Sequence, residues 1–68
     1  MAEYFYRRDR EQTAQKILNN IGIDYVGMAC QNQETICVET AEALDADKKS
    51  RMDDSFLTFG YIFDHEVL

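Results

Sequence analysis

The fold is decided by residues 9–23, which read DREQTAQKILNNIGI. The apolar side chains of this segment recur at i, i+3, i+4 and i+7, in the order Ala14, Ile17, Leu18 and Ile21. Asp9 is a predicted N-cap, and Gln12 three residues later completes a capping-box pattern. Gly22 is expected at the left-handed position after the last turn, with Ile23 closing back on Leu18 in a Schellman arrangement. The segment therefore predicts one amphipathic helix.

Short runs rich in β-branched and aromatic residues predict strands around this helix. They are Glu3–Arg7, Ile23–Cys30, Thr35–Thr40 and a last strand, Phe56–Phe63, with residues 64–68 as a tail. A second, mostly solvated helix is predicted from a Thr40 cap to about Met52. The order β-α-β-β-α-β predicts a small α+β two-layer sandwich of ferredoxin-like type. The alternative omits the first strand and leaves α-β-β-α-β around a three-stranded antiparallel sheet.

The hairpin between the second and third strands has a register that can be tested against the apolar pattern. A three-residue loop aligns Val26 and Met28 with Val38 and Ile36, which gives a one-sided core. A two-residue turn would mix apolar and polar residues on one face, so the longer loop is preferred. Under this register the two cysteines, at positions 30 and 37, point to opposite faces and cannot form a disulfide.

The length of 68 residues predicts a single domain, residues 1–68, with a marginal core. Small domains often compensate by oligomerisation or by binding a partner. The N-terminal residues show no signal-peptide pattern and no apolar run approaches membrane-spanning length, so we expect no membrane association. Reduced cysteines and a cytoplasmic location are the corresponding expectations.

Charge is distributed unevenly along this acidic chain. The formal net charge is −6, and residues 21–47 contain six acids and no lysine or arginine. These acids are Asp24, Glu34, Glu39, Glu42, Asp45 and Asp47. Direct binding to nucleic-acid phosphates is disfavoured, because such binding depends on lysine and arginine. We expect instead a partner protein with a basic surface, to which the acids present charge much as phosphates do.

The composition and size favour an interaction module over an enzyme. Every acid lies in a segment that is predicted to be exposed, and a domain of this size has little room for a closed pocket. No catalytic residues and no cofactor are therefore predicted. By analogy of size and charge alone, the class of protein expected is a phage-type inhibitor that docks on a basic, nucleic-acid-binding protein such as a defence nuclease. A simpler interpretation is that these acids form a solvated face that keeps the small protein soluble.

The predicted last strand suggests a second kind of contact surface. Leu57, Phe59, Tyr61 and Phe63 would share one face of it, and helices cover only one face of a two-layer sheet. A contiguous exposed apolar face usually marks an interface. The alternative function is therefore a homodimeric regulatory or ligand-sensing domain, in which two such faces meet.

Two further motifs are weak. Residues 59–62, FGYI, look like the centre of the RNP1 motif of RNA-recognition domains, but Leu57 and Thr58 replace its leading basic residue and glycine. The set Cys30, Cys37 and His65 lacks the spacing of a metal site and would need cysteines from opposite faces. We therefore predict neither RNA binding nor a metal site, and expect His65 to be a solvated tail residue.

Overall fold

The protein is a two-helix, four-stranded α+β domain in a computed structural model that describes residues 1–8, 11–32 and 34–68. The strands are β1 (Ala2–Arg7), β2 (Gly27–Asn32), β3 (Thr35–Thr40) and β4 (Ile62–Val67), and the helices are α1 (Glu11–Ile21) and α2 (Ala46–Thr58). All three strand pairings are antiparallel and the strand order is β2-β3-β1-β4. The three-stranded alternative is wrong, because β1 lies in the middle of the sheet and pairs with both β3 and β4.

Helix α1 confirms the predicted stripe. Ala14, Ile17 and Leu18 are buried. Gly22 has φ +71°, and the Ile23 N–H donates to the Leu18 carbonyl at 3.3 Å, which closes the predicted C-terminal turn. The predicted N-cap, Asp9, lies outside the described residues.

The hairpin differs from its prediction in start and register. Strand β2 begins at Gly27 instead of Ile23, and Met28 faces Val38 where Ile36 was expected. The ladder shifts between Cys30 and Asn32. That irregularity places one extra residue in β2, and beyond it Met28 pairs two positions along β3 from its predicted partner. A shift of two keeps every side chain on its predicted face, so the two cysteines still point to opposite faces and are not joined in a disulfide.

The largest correction concerns residues 40–68. Helix α2 begins after Asp45, whose carboxylate accepts the Lys48 N–H at 2.8 Å, and it continues to Thr58. The predicted strand over residues 56–63 is therefore wrong, and most of the predicted tail is strand β4. Met52 and Phe56, one turn apart, are both fully buried on one side of α2.

Gly60, like Gly22, follows the end of its helix in the left-handed conformation. Its φ is +86°, the Tyr61 N–H donates to the Phe56 carbonyl at 2.9 Å, and the Gly60 N–H donates to the Leu57 carbonyl at 3.0 Å. These two bonds form a complete Schellman motif. The chain then turns back toward the sheet and places Tyr61 in the core.

The core lies between the helices and one face of the sheet. Alternate residues of the two central strands pack against both helices; the largest buried side chains include Tyr4, Tyr6, Ile36, Val38, Leu18, Met52, Phe56 and Tyr61. The rings of Tyr6 and Phe56 stack with centroids 4.3 Å apart. The opposite face of the sheet carries the other residues of these strands, among them Glu3, Phe5, Cys37 and Glu39. Neither helix of the described chain has the length and apolar character needed to cross a bilayer.

Candidate functional site

The six predicted acids fall in three separate places. Three of them, Asp24, Glu42 and Asp45, line one cleft, and Asp47 follows in the first turn of α2. Glu39 lies on the helix-free face of the sheet. Glu34 lies in the hairpin connection, with its carboxylate 4.0 Å from the Arg7 guanidinium. The acids therefore do not form the continuous array that their spacing predicts.

The cleft is open and has a volume of about 340 Å³. One wall comes from residues 22–24, which follow α1, and the other from residues 40–45 and Lys48. Two hydrogen bonds hold the second wall. The Thr40 hydroxyl donates to the Glu42 carbonyl at 2.6 Å, and the Leu44 N–H donates to the Tyr4 hydroxyl oxygen at 2.7 Å. Because Thr40 and Tyr4 are both buried in the sheet, these bonds anchor the connection to it.

The electrostatics of the cleft are dominated by its carboxylates. Asp24 and Glu42 are exposed, and neither carboxylate makes a hydrogen bond or an ion pair within residues 1–8, 11–32 and 34–68. Asp45 is partly neutralised by the N-terminus of α2, whose N–H groups carry partial positive charge. Lys48 supplies one positive charge to the lining. The cleft therefore favours a cationic group.

A second group of ionisable side chains lies on the helix-free face. The candidate ligand atoms of Glu3, Cys37 and Glu39 all lie within 4.8 Å of one another. The Cys37 thiol donates to the Glu3 carboxylate at 3.7 Å. Burial, and then the neighbouring Glu3, raises the pKa of the Cys37 thiol to about 11, with Glu39 adding to the shift. Hereafter this group is called the thiol–carboxylate cluster.

Sequence reasoning missed the thiol–carboxylate cluster because it grouped the wrong residues. It weighed Cys37 with Cys30 and His65, which cannot converge since the cysteines lie on opposite faces. The register of β1 on β3 instead places Glu3 directly opposite Glu39 and next to Cys37. The available signal was the alternation of residues 37 and 39 on one strand face.

The predicted apolar face is not formed. Leu57 lies in α2 and Phe59 at its C-cap, and they are 62% and 53% exposed. Tyr61 is fully buried, and the half-buried Phe63 ring has the Lys49 ammonium 3.4 Å from its centroid. Since these residues belong to three different elements, the face on which the homodimer alternative depended is absent from the described chain.

His65 lies in strand β4, where the sequence predicted a tail. Its ring stacks on Phe5 with centroids 4.3 Å apart, and its Nδ1 lies 2.5 Å from an Asp64 carboxylate oxygen. The aromatic contact places His65 on the helix-free face, beside a central strand.

Comparison of the chain with protein-family models, with curated proteins and with solved structures found no match.

Proposed function

We propose that the protein is a small acidic interaction module, and that it docks on a basic surface of a partner protein through the cleft lined by Asp24, Glu42 and Asp45. The observation that carries this proposal is the convergence of carboxylates from two separate chain segments on one open cleft. Two of them have no ionic or hydrogen-bonding partner among the described residues. A lysine or arginine side chain of a partner supplies the missing counter-charge.

The size and construction of the cleft support binding over catalysis. An open space of about 340 Å³ is at the lower end of the range for small-molecule sites, and it accepts one long side chain. Its walls are held by buried Thr40 and Tyr4, so little order has to be gained when a partner binds. Arginine fits such a site well because its planar guanidinium can bond to two carboxylates at once.

The partner that best suits this surface is a basic, nucleic-acid-binding protein, and the corresponding activity is that of a phage-type inhibitor of a nuclease. The net charge of −6 supports this through long-range steering of a basic partner. The separation of Glu34 and Glu39 from the cleft argues for a local contact with one basic side chain at its centre. Imitation of a long phosphate backbone would need the acids in one continuous row, and they do not form one.

Binding to an immobilised arginine-rich peptide tests the proposal. The double variant D24N/E42Q should associate on the order of tenfold more slowly than the wild type, because charge complementarity acts mainly on the encounter rate. The matched control E34Q/D54N removes the same amount of charge outside the cleft and should change the rate much less. Both should be measured at about 0.05 M and about 0.3 M salt, since screening weakens exposed charge pairs.

Equal losses in the two double variants would contradict the proposal, because net charge alone would then explain the binding. Absence of binding by the wild type at low salt would contradict it as well. Mass measurement of the protein in solution is the companion experiment, since a stable dimer would revive the homodimer alternative on a different surface.

We further infer that the arrangement is ferredoxin-like. Helix α1 leads from β1 to β2, helix α2 leads from β3 to β4, and the two β-α-β units interleave in one sheet with β1 and β3 at its centre. Backbone NMR contacts from β1 to both β3 and β4, with none from β1 to β2, would test this order in solution.

A further inference from the structure

The helix-free face of the sheet places two like charges directly opposite each other. Glu3 on β1 pairs in register with Glu39 on β3, and both side chains are half-buried. A cross-strand pair of like charges destabilises a sheet. No lysine, arginine or histidine nitrogen lies within 4.0 Å of either carboxylate in residues 1–8, 11–32 and 34–68. Within the described part of the chain, no positive charge therefore offsets this repulsion.

A third donor atom completes the group. Cys37 is only 1% exposed although it lies on the face that no helix covers, and its sulfur lies within 4.8 Å of a carboxylate oxygen of each glutamate. Gly27 and Ala29 stand opposite Glu39 and Cys37 on the edge strand β2, so small side chains border the group on that side. The result is a buried sulfur with two half-buried carboxylates beside it.

We propose that Glu3, Cys37 and Glu39 form a binding site for a thiophilic divalent cation of the zinc class. Three protein ligands with a fourth position left to water is the donor count of an open zinc site. With bond lengths typical of zinc, a thiolate sulfur and a carboxylate oxygen in a tetrahedral site lie about 3.6 Å apart. The Cys37 sulfur and the Glu3 oxygen are already 3.7 Å apart.

The chemistry of the donors selects the cation class. A thiolate is a soft ligand that favours zinc and cadmium over magnesium and calcium, which bind oxygen alone. When the metal–sulfur bond forms, the Cys37 S–H bond breaks and its proton passes to solvent. The cation then lies between two carboxylates that otherwise repel each other, so binding and fold stability are linked.

Cadmium titration of the 68-residue chain, kept reduced with a thiol-free phosphine, tests the proposal through the ultraviolet absorption of a cadmium–thiolate bond. The wild type should give a saturable signal with one cadmium per chain. C37S should lose the signal, and the matched control C30S, which removes the exposed cysteine, should keep it. E39Q should retain the fold by circular dichroism and weaken binding at least tenfold.

Three results would overturn the proposal. They are a signal that disappears in C30S and persists in C37S, an E39Q variant that binds cadmium as tightly as the wild type, and a wild type without a saturable signal. E39Q only replaces one carboxylate oxygen of a half-buried side chain with an amide nitrogen. Its cadmium affinity therefore tests the proposed site even if C37S fails to fold. Zinc should also raise the melting temperature of the wild type, and should do so less in E39Q.

Discussion

The Tyr6 hydroxyl donates a hydrogen bond to the carboxylate of Asp53, 47 residues away in the chain. Tyr6 lies in the central strand β1 and is fully buried, and Asp53 lies in α2. The second carboxylate oxygen of Asp53 accepts a bond from the Lys49 ammonium at 2.6 Å. This contact therefore joins the second helix to the middle of the sheet through a partly buried polar bond.

Replacing Asp53 with alanine should lower the free energy of unfolding by about 1–3 kcal/mol, because the buried Tyr6 hydroxyl would lose its acceptor. Urea denaturation measures this change. D54A, which removes an exposed carboxylate from the adjacent position of the same helix, is the control and should change stability by about 0.5 kcal/mol or less. A D53A variant as stable as D54A would show that the Tyr6 contact contributes nothing.

Stability should fall at alkaline pH. Burial, followed by the hydrogen bond to Asp53, raises the pKa of Tyr6 far above its ordinary value of 10.0. The pKa of Tyr6 is therefore higher in the folded state than in the unfolded state. The stability that Tyr6 contributes is complete below pH 10 and is lost progressively as the pH rises above it. Urea unfolding at about pH 8 and about pH 11 should show a larger loss for the wild type than for Y6F. Parallel losses in the two proteins would contradict the assignment.

Alanine at Gly60 and alanine at Gly22 should destabilise the protein by similar amounts. Both glycines have positive φ, so a side chain adds strain of about 1–2 kcal/mol at either position. At Gly22 an added methyl group meets open space, and at Gly60 it meets the guanidinium end of the exposed Arg8 side chain, which can move aside at little cost. Thermal unfolding of G22A and G60A compares the two. A melting temperature clearly lower for G60A than for G22A would show that the Arg8 side chain does not move aside.

Lysine substitutions distinguish the buried aromatic residue from its exposed neighbours in residues 57–61. Y61K should unfold the protein, because it places a charge at a fully buried position. L57K and F59K should leave the fold intact, since both side chains are more than half exposed. Far-ultraviolet circular dichroism shows which of the three variants remain folded. A folded Y61K would return Tyr61 to the surface, where the sequence had placed it.

Local sequence was sufficient to predict several elements. Helix α1 followed from the apolar spacing of Ala14, Ile17 and Leu18 and from Gly22, since these signals act within one or two helical turns. Strands β1 and β3 followed from runs of β-branched and aromatic residues. Side-chain alternation also predicted correctly that Cys30 and Cys37 lie on opposite faces, because that property survives a register shift of two.

The extent of α2 was decided by tertiary packing. Residues 56–63 have high strand propensity, and the residues before them form a thinly apolar helix. The helix continues through Phe56 because that ring stacks on Tyr6 and fills the core beside Met52. Gly60 was an available stop signal of the same type as Gly22, but it lay within the segment interpreted as a strand.

The candidate sites also depend partly on local sequence and partly on tertiary structure. The sequence by itself determined that the middle of the chain is acidic and contains no lysine or arginine from residue 21 to residue 47. Only the tertiary structure brought Asp24 to Glu42 across the cleft and set Glu3 opposite Glu39 beside Cys37. Charge is a property of composition, whereas the distance between two charges depends on non-local pairing of strands and helices, which no short stretch of sequence encodes.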